Sequence, residues 1–230
     1  MKRENLAGML PFYLLALILF VGAAAWGSRA VSVIAQQGSV ARENTIVIDA
    51  GHGGIDGGAT SCTGVLESAI NLQIALRLND LLHLLGYDTV MIRTTDTSVY
   101  TEGSTIAAQK VSDLKQRVRI VNETPGAILI SIHQNTFQGS GIHGAQVFYA
   151  ATAGSRDFAQ LLQSKLYPNR SCKAAGSIYL LQHIRAPGVL IECGFLSNPE
   201  EEARLRSGAY QQYLCGVISS CLREILHANG

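Results

Sequence analysis

The chain has 230 residues, room for one sizeable domain and an appendage. Its formal net charge is +1, which excludes the broad positive field expected of a nucleic-acid binder or of a domain held on an anionic membrane surface. Hydrophobic residues make up 47% and charged residues only 15%, and part of that excess is concentrated at the N-terminus.

Met1-Lys2-Arg3 is a basic start, and Met9 to Trp26 then carries no charge. The length lies between a signal-peptide core and a spanning helix. The preceding cations direct whatever follows to the outer side of the membrane. Ala23-Ala24-Ala25 resembles a cleavage region, whereas the length and the interfacial Trp26 favour an uncleaved anchor. Residues 1–27 are therefore expected to be a signal peptide or membrane anchor. Residues 28–44, polar and small with Gln36-Gln37-Gly38-Ser39, read as a linker, and 45–230 as the folded domain.

From Thr45 onward strands and helices alternate. Thr45 to Ile48 is an apolar strand running into Asp49-Ala50-Gly51-His52-Gly53-Gly54. Ser68 to Leu85 has a helical stripe of Ile70, Ile74, Leu78, Leu81 and Leu82, stopped by Gly86. Asp88 to Ile92 is a strand. Ser112-Asp113 is expected to cap a helix bearing Leu114, Val118 and Val121. Ala127 to Ile132 is a strand ending on His133. Ala145 to Tyr149 is another, followed by a helix with Phe158, Leu161, Leu162 and Leu166. Ser177 to Leu181 is expected to be an edge strand. Gly188 to Ile191 is a strand ending on Glu192, and Tyr210 to Ile225 is a long amphipathic helix. This order predicts an α/β fold, a single twisted, mostly parallel sheet with helices on both faces.

Open α/β sheets place ligands at the carboxyl ends of their strands. Three strands here end on His52, His133 and Glu192, and Glu67 follows the first of them. Each alone has an ordinary explanation: a core histidine, or an acid favourable to a helix N-terminus. A carboxylate directly after Val189-Leu190-Ile191 is costly to bury without a cation. Together, two histidines and a carboxylate with an open fourth position suit a catalytic zinc, and a further carboxylate can act as general base. His83, His183 and His227 fit less well, while His143 is a loop residue able to approach the site. The Gly-rich loop lacks GxxxxGK[ST] and GxGxxG, so nucleotide binding is not indicated. The five cysteines, Cys62, Cys172, Cys193, Cys215 and Cys221, form no CxxC pair and read as small core or surface residues.

Several segments carry a family resemblance. They are Val47 to Gly54, Glu67 with Asn71, Arg93-Thr94-Thr95-Asp96, Leu114 with Arg117 and Asn122, Ser131 to Asn135, and Leu190 to Asn198. In this collinear order the chain resembles the zinc-dependent N-acetylmuramoyl-L-alanine amidases of the amidase-3 type. The resemblance implies a six-stranded α/β fold, one Zn2+ held by His52, Glu67 and His133, and Glu192 as the catalytic carboxylate. It implies peptidoglycan as substrate, with Asn135, Arg170 and Lys173 near the cleft as substrate-binding residues. Arg170 and Lys173 resemble a basic pair that precedes a Tyr179-containing strand. Ala50 and Gln134 depart from the usual pattern at positions that are not ligands. The short Tyr149–Lys173 segment leaves no room for a blocking helix. A lone anchor and minimal domain most resemble the CwlD type of spore formers, which acts in cortex maturation. The expected setting is extracytoplasmic, anchored or secreted, with no nucleic-acid partner and with an activator protein left open. A vegetative autolysin of the same chemistry, a glycoside hydrolase using Glu67 and Glu192, and a silent wall-binding protein are the alternatives.

Overall fold

The computed structural model describes residues 44–139 and 141–228. The expected anchor, and the linker up to residue 43, lie outside the described residues. Among the described residues no helix is long and apolar enough to cross a membrane.

The chain runs β1 (Thr45–Ala50), α1 (Glu67–Leu84), β2 (Asp88–Met91), α2 (Ile106–Glu123), β3 (Ala127–Asn135), β4 (Gln146–Tyr149), α3 (Ser155–Leu166), β5 (Lys173–Ala174), α4 (Tyr179–His183), β6 (Gly188–Phe195), α5 (Pro199–Leu205) and α6 (Gly208–Ala228). The strands form one six-stranded sheet in the order β2-β1-β3-β6-β4-β5. Strands β2, β1, β3 and β6 are mutually parallel. Strand β4 is antiparallel to β6, and β5 is parallel to β4. The sheet is therefore mixed, as the reading of a mostly parallel sheet allows.

Strand side chains alternate between faces, so each strand feeds two cores. Ile46, Ile48, Ile130, Ile132, Val189 and Ile191 pack with Ile70, Ile74 and Leu78 of α1, Phe158 of α3, and Leu214 and Ile218 of α6. Val47, Leu129 and Leu190 pack on the other face with Val121 of α2 and Leu180 and Leu181 of α4. The same alternation carries Asp49, Ser131, His133 and Glu192 onto this second face, at the carboxyl ends of three adjacent parallel strands.

Two local expectations are corrected. Ser177 to Leu181 is not an edge strand. Tyr179–His183 is helical, and the edge strand is the two-residue β5. Leu180, Leu181 and Ile184 are all buried, a spacing that one side of a helical turn satisfies and a strand does not. Helix α2 does not start at Ser112-Asp113. Thr105 caps it, its hydroxyl accepting from Ala108 N–H at 3.2 Å. Ser112 and Asp113 do bond orphan backbone N–H groups, but those of the incoming loop: Thr101 and Glu102 for Ser112, Val99 for Asp113. Helix α5, which no expectation covered, begins at Pro199, with Asn198 accepting from the N–H groups of Glu200 and Glu201.

A buried ion network holds the β1–α1 turn. Arg117 of α2 is only 3% exposed and pairs with Asp49, 1% exposed, and with Asp113. Its Nη1 also donates to Ala50 O at 3.1 Å and its Nη2 to His52 O at 2.8 Å. Ser131 Oγ donates to the other oxygen of Asp49 at 2.6 Å. Burial alone would raise the Asp49 carboxyl, but Arg117, His133 and Ser131 hold it below the usual range. Arg117→Met would strand that carboxylate. It is expected to destabilise the protein by about 3–5 kcal/mol, measurable by denaturant unfolding, since breaking a buried pair leaves an uncompensated charge.

Candidate metal centre

His52 leaves β1 two residues after its last strand residue, with φ 62, and is the one non-glycine residue with positive φ among those described. His133 lies within β3 and Glu192 within β6, and the two are direct cross-strand partners. Both strands thus continue beyond the residues on which they were expected to end. Glu67 is the first residue of α1.

The fold brings His52, Glu67 and His133 together, with one donor atom of each within 4.8 Å of the others. His52 Nε2 is 3.3 Å from Glu67 Oε2, and His133 Nδ1 is 3.0 Å from Glu67 Oε1. The imidazole rings meet edge to face with centroids 4.9 Å apart. Two glycines make this approach possible. A Cβ on Gly51 would lie 2.1 Å from His133 Nε2, and one on Gly58 would lie 2.7 Å from Glu67 Oε2. His133 turns Nδ1, not Nε2, toward Glu67.

Glu67 is fixed before any ligand arrives. Its Oε2 accepts from Ala59 N–H at 3.0 Å. Its Oε1 accepts from Gln134 N–H at 3.1 Å and Asn71 Nδ2 at 3.3 Å. Burial alone would raise this carboxyl, yet the hydrogen bonds and charges of His133 and His52 hold it well below the carboxylate range. Burial would also lower the His52 imidazole. The hydrogen bond and charge of Glu67, then those of Asp56, raise it instead to about 9.

Glu192 lines the same cavity as His52 and His133, a recess of about 370 Å³ between the sheet and helices α2 and α4. Its Oε2 is buried and has no hydrogen-bond partner. Burial, with Glu67 nearby, raises its pKa to about 7 against the opposing influence of His133 and His52. A buried carboxyl oxygen left without a partner, beside three metal-type donors, fits a site completed by an ion and water. Three donors this close together could share one ion.

Asn135, Arg170 and Lys173 come together elsewhere. They line a groove of about 520 Å³ across β4, β5 and β6, together with Phe137, Gln146 and Phe195. Arg170 donates to the carbonyls of Gly144 and His143 and lies over the rings of Tyr167 and Phe195. Lys173 opens β5, so the basic pair borders a strand, but Tyr179 is not on it. His143 is exposed and contacts Tyr167, not the His52 group. One participant escaped the sequence reading. Asp56 Oδ2 accepts from His52 Nδ1 at 2.9 Å, and the only signal for it was a carboxylate four residues after a candidate ligand.

Residues 46–223 match the family model described as N-acetylmuramoyl-L-alanine amidase. The chain belongs to this amidase family. The germination-specific N-acetylmuramoyl-L-alanine amidase of Bacillus subtilis is 38% identical over 188 residues, 79% of this chain and 78% of that one. The amidase LytC of the same organism is 30% identical over 181 residues, 76% of this chain but only 34% of LytC. The CwlD amidase of Clostridioides difficile, solved in complex with the GerS lipoprotein, superimposes with a TM-score of 0.77 at 35% identity. That match covers 80% of this chain and 99% of CwlD. The resemblance to CwlD-type amidases, and peptidoglycan amidase as the activity class, therefore stand.

Proposed function

We propose that this protein is a zinc-dependent amidase that cleaves the bond between the lactyl group of N-acetylmuramic acid and L-alanine, and that it works in spore-cortex maturation. The observation that carries the chemistry is the His52–Glu67–His133 donor group beside the unpartnered buried oxygen of Glu192. His52 Nε2, His133 Nδ1 and the Glu67 carboxylate would hold the zinc. When bound, that ion supplies Lewis acidity, which makes water a better nucleophile and polarises the carbonyl. Glu192 accepts the proton of the attacking water as the lactyl carbonyl becomes tetrahedral. The same carboxyl then gives the proton to the departing L-alanine nitrogen, so proton and bond changes balance. Arg170 and Lys173 bring positive charge, and Asn135 a polar side chain, to a groove at which the carboxylate-bearing stem peptide would lie.

The cortex role rests on likeness to the germination-specific amidase. Residues 1–27 would anchor the chain or be removed, and 28–44 would link them to an extracytoplasmic catalytic domain of residues 45–230. A lipoprotein activator of the kind seen with CwlD is a candidate partner. Purified protein incubated with peptidoglycan tests the chemistry by mass spectrometry. New L-alanine amines with intact glycan are expected, whereas new reducing sugar ends would mark a glycosidase. A deletion strain of a spore former tests the role. Cortex lacking muramic-δ-lactam with near-normal growth is expected, and normal lactam content would leave only a vegetative amidase.

Metal uptake should depend on pH in a defined direction. Without metal, His52 keeps its proton up to about pH 9. Binding requires the neutral ring, so the ion must displace one proton. Apparent zinc affinity is therefore expected to rise about tenfold per pH unit from 7 towards 9 and then flatten. Chelator competition across that range measures it, and a flat profile contradicts it.

A further inference from the structure

The two carboxylate oxygens of Asp56 serve two different partners. Oδ2 accepts from His52 Nδ1 at 2.9 Å, and Oδ1 takes the ammonium of Lys110 at 2.8 Å. Asp56 reaches His52 because the loop folds back on itself. Gly53 N–H donates to Asp56 O at 2.8 Å and Asp56 N–H to Gly53 O at 3.2 Å. Lys110 comes from the opposite wall of the cleft, on α2. Two turns further along that helix, Arg117 Nη2 grips the carbonyl of His52 at 2.8 Å. His52 is thus held at its backbone by Arg117 and at its ring by Asp56, with α2 behind both.

This residue has need of such a hold. Its backbone is in the left-handed region, unfavourable for a side chain with a Cβ. Its ring is 26% exposed, so packing alone does not set its rotation. An imidazole whose Nδ1–H is bound to a carboxylate keeps Nε2 turned to the other side, where it can carry a proton or offer its lone pair to an ion. Here Nε2 faces Glu67 Oε2 at 3.3 Å, and its lone pair becomes available when an ion displaces the proton.

We infer that Asp56 and Lys110 form a positioning pair for His52. Asp56 sets the tautomer and rotation of the ring, and Lys110 holds Asp56 in place. The inference rests on the reading of His52 as a zinc ligand and adds two residues that touch neither metal nor substrate. Both are partly exposed, at 28% and 47%, so their replacement leaves the core intact.

Zinc affinity of the full-length chain, read by competition with a chromogenic chelator, tests the pair. Asp56→Ala is expected to weaken zinc about 10–100-fold. Asp56→Asn keeps an oxygen that accepts from Nδ1–H and should recover most of that loss. Lys110→Met should weaken zinc about two- to fivefold, the scale of an exposed ion pair, in the parent and have no effect in the Asp56→Ala background. Parent-like affinity in Asp56→Ala overturns the inference. So does an equal effect of Lys110→Met in both backgrounds, or failure of Asn to rescue. A parent chain that takes up no zinc overturns the metal reading itself and is told apart from these results by its own titration.

Discussion

Glu192→Gln is expected to lower turnover about 10²–10⁴-fold while the metal content stays at one equivalent. The amide has nearly the same shape, so it fits the half-buried position across from His133 without disturbing β6. It has no basic oxygen able to accept the proton of water at neutral pH. The effect should fall on kcat more than on KM, because the lost step is a proton transfer and not a contact with bound substrate. Glu192 is also the buried carboxyl raised to about 7 by its surroundings, where a general base works well near neutral pH. A bound dication would pull that value down, so the zinc-loaded enzyme should keep its base ionised at lower pH than the metal-free cavity does. Near-normal turnover in Glu192→Gln would remove this residue from the mechanism.

His52→Ala and His133→Ala are each expected to lose metal and activity together. Each removes one of three donors that lie within 4.8 Å of one another. The loss in zinc affinity should exceed the 10–100-fold, in order of magnitude, that removal of an outer partner costs. Neither ring is fully buried, so the folded domain should survive, and far-UV circular dichroism with thermal unfolding checks that. In the parent, a strong chelator should abolish turnover and added zinc should restore it. A full equivalent of zinc retained by both variants would show the ligand set to be wrong. Zinc retained only in His52→Ala would point to a different third donor.

Much of this protein was legible along the chain because its signals are local. Runs such as Thr45 to Ile48 and Ala127 to Ile132 are apolar on both faces, which only a covered parallel strand requires. The stripe from Ile70 to Leu82 and the stop at Gly86 follow from helical period and from a backbone with φ 85. His52, Glu67, His133 and Glu192 stood out because each ends an apolar run or opens a helix, where ligands gather. What failed was short or contextual. Leu180 and Leu181 form an apolar pair that reads equally as strand or helix, and the burial of Ile184 on the same side decided for helix. The start of α2 was misplaced because Ser112 and Asp113 cap a loop from inside the helix.

Only the tertiary structure decided which atoms meet. The order β1-β3-β6 makes three strand ends neighbours, which no spacing along the chain expresses. His133 faces Glu67 through Nδ1, whereas the reach of Asp56 to His52 Nδ1 turns Nε2 of that ring toward Glu67. The pairing of Arg117 with Asp49 and of Lys110 with Asp56 joins positions 68 and 54 residues apart (117 − 49 and 110 − 56). Residue types and periodicity report the chemistry available and the face on which each side chain lies. The distances between those side chains arise from how the sheet and α2 pack, a non-local property that the chain acquires only on folding.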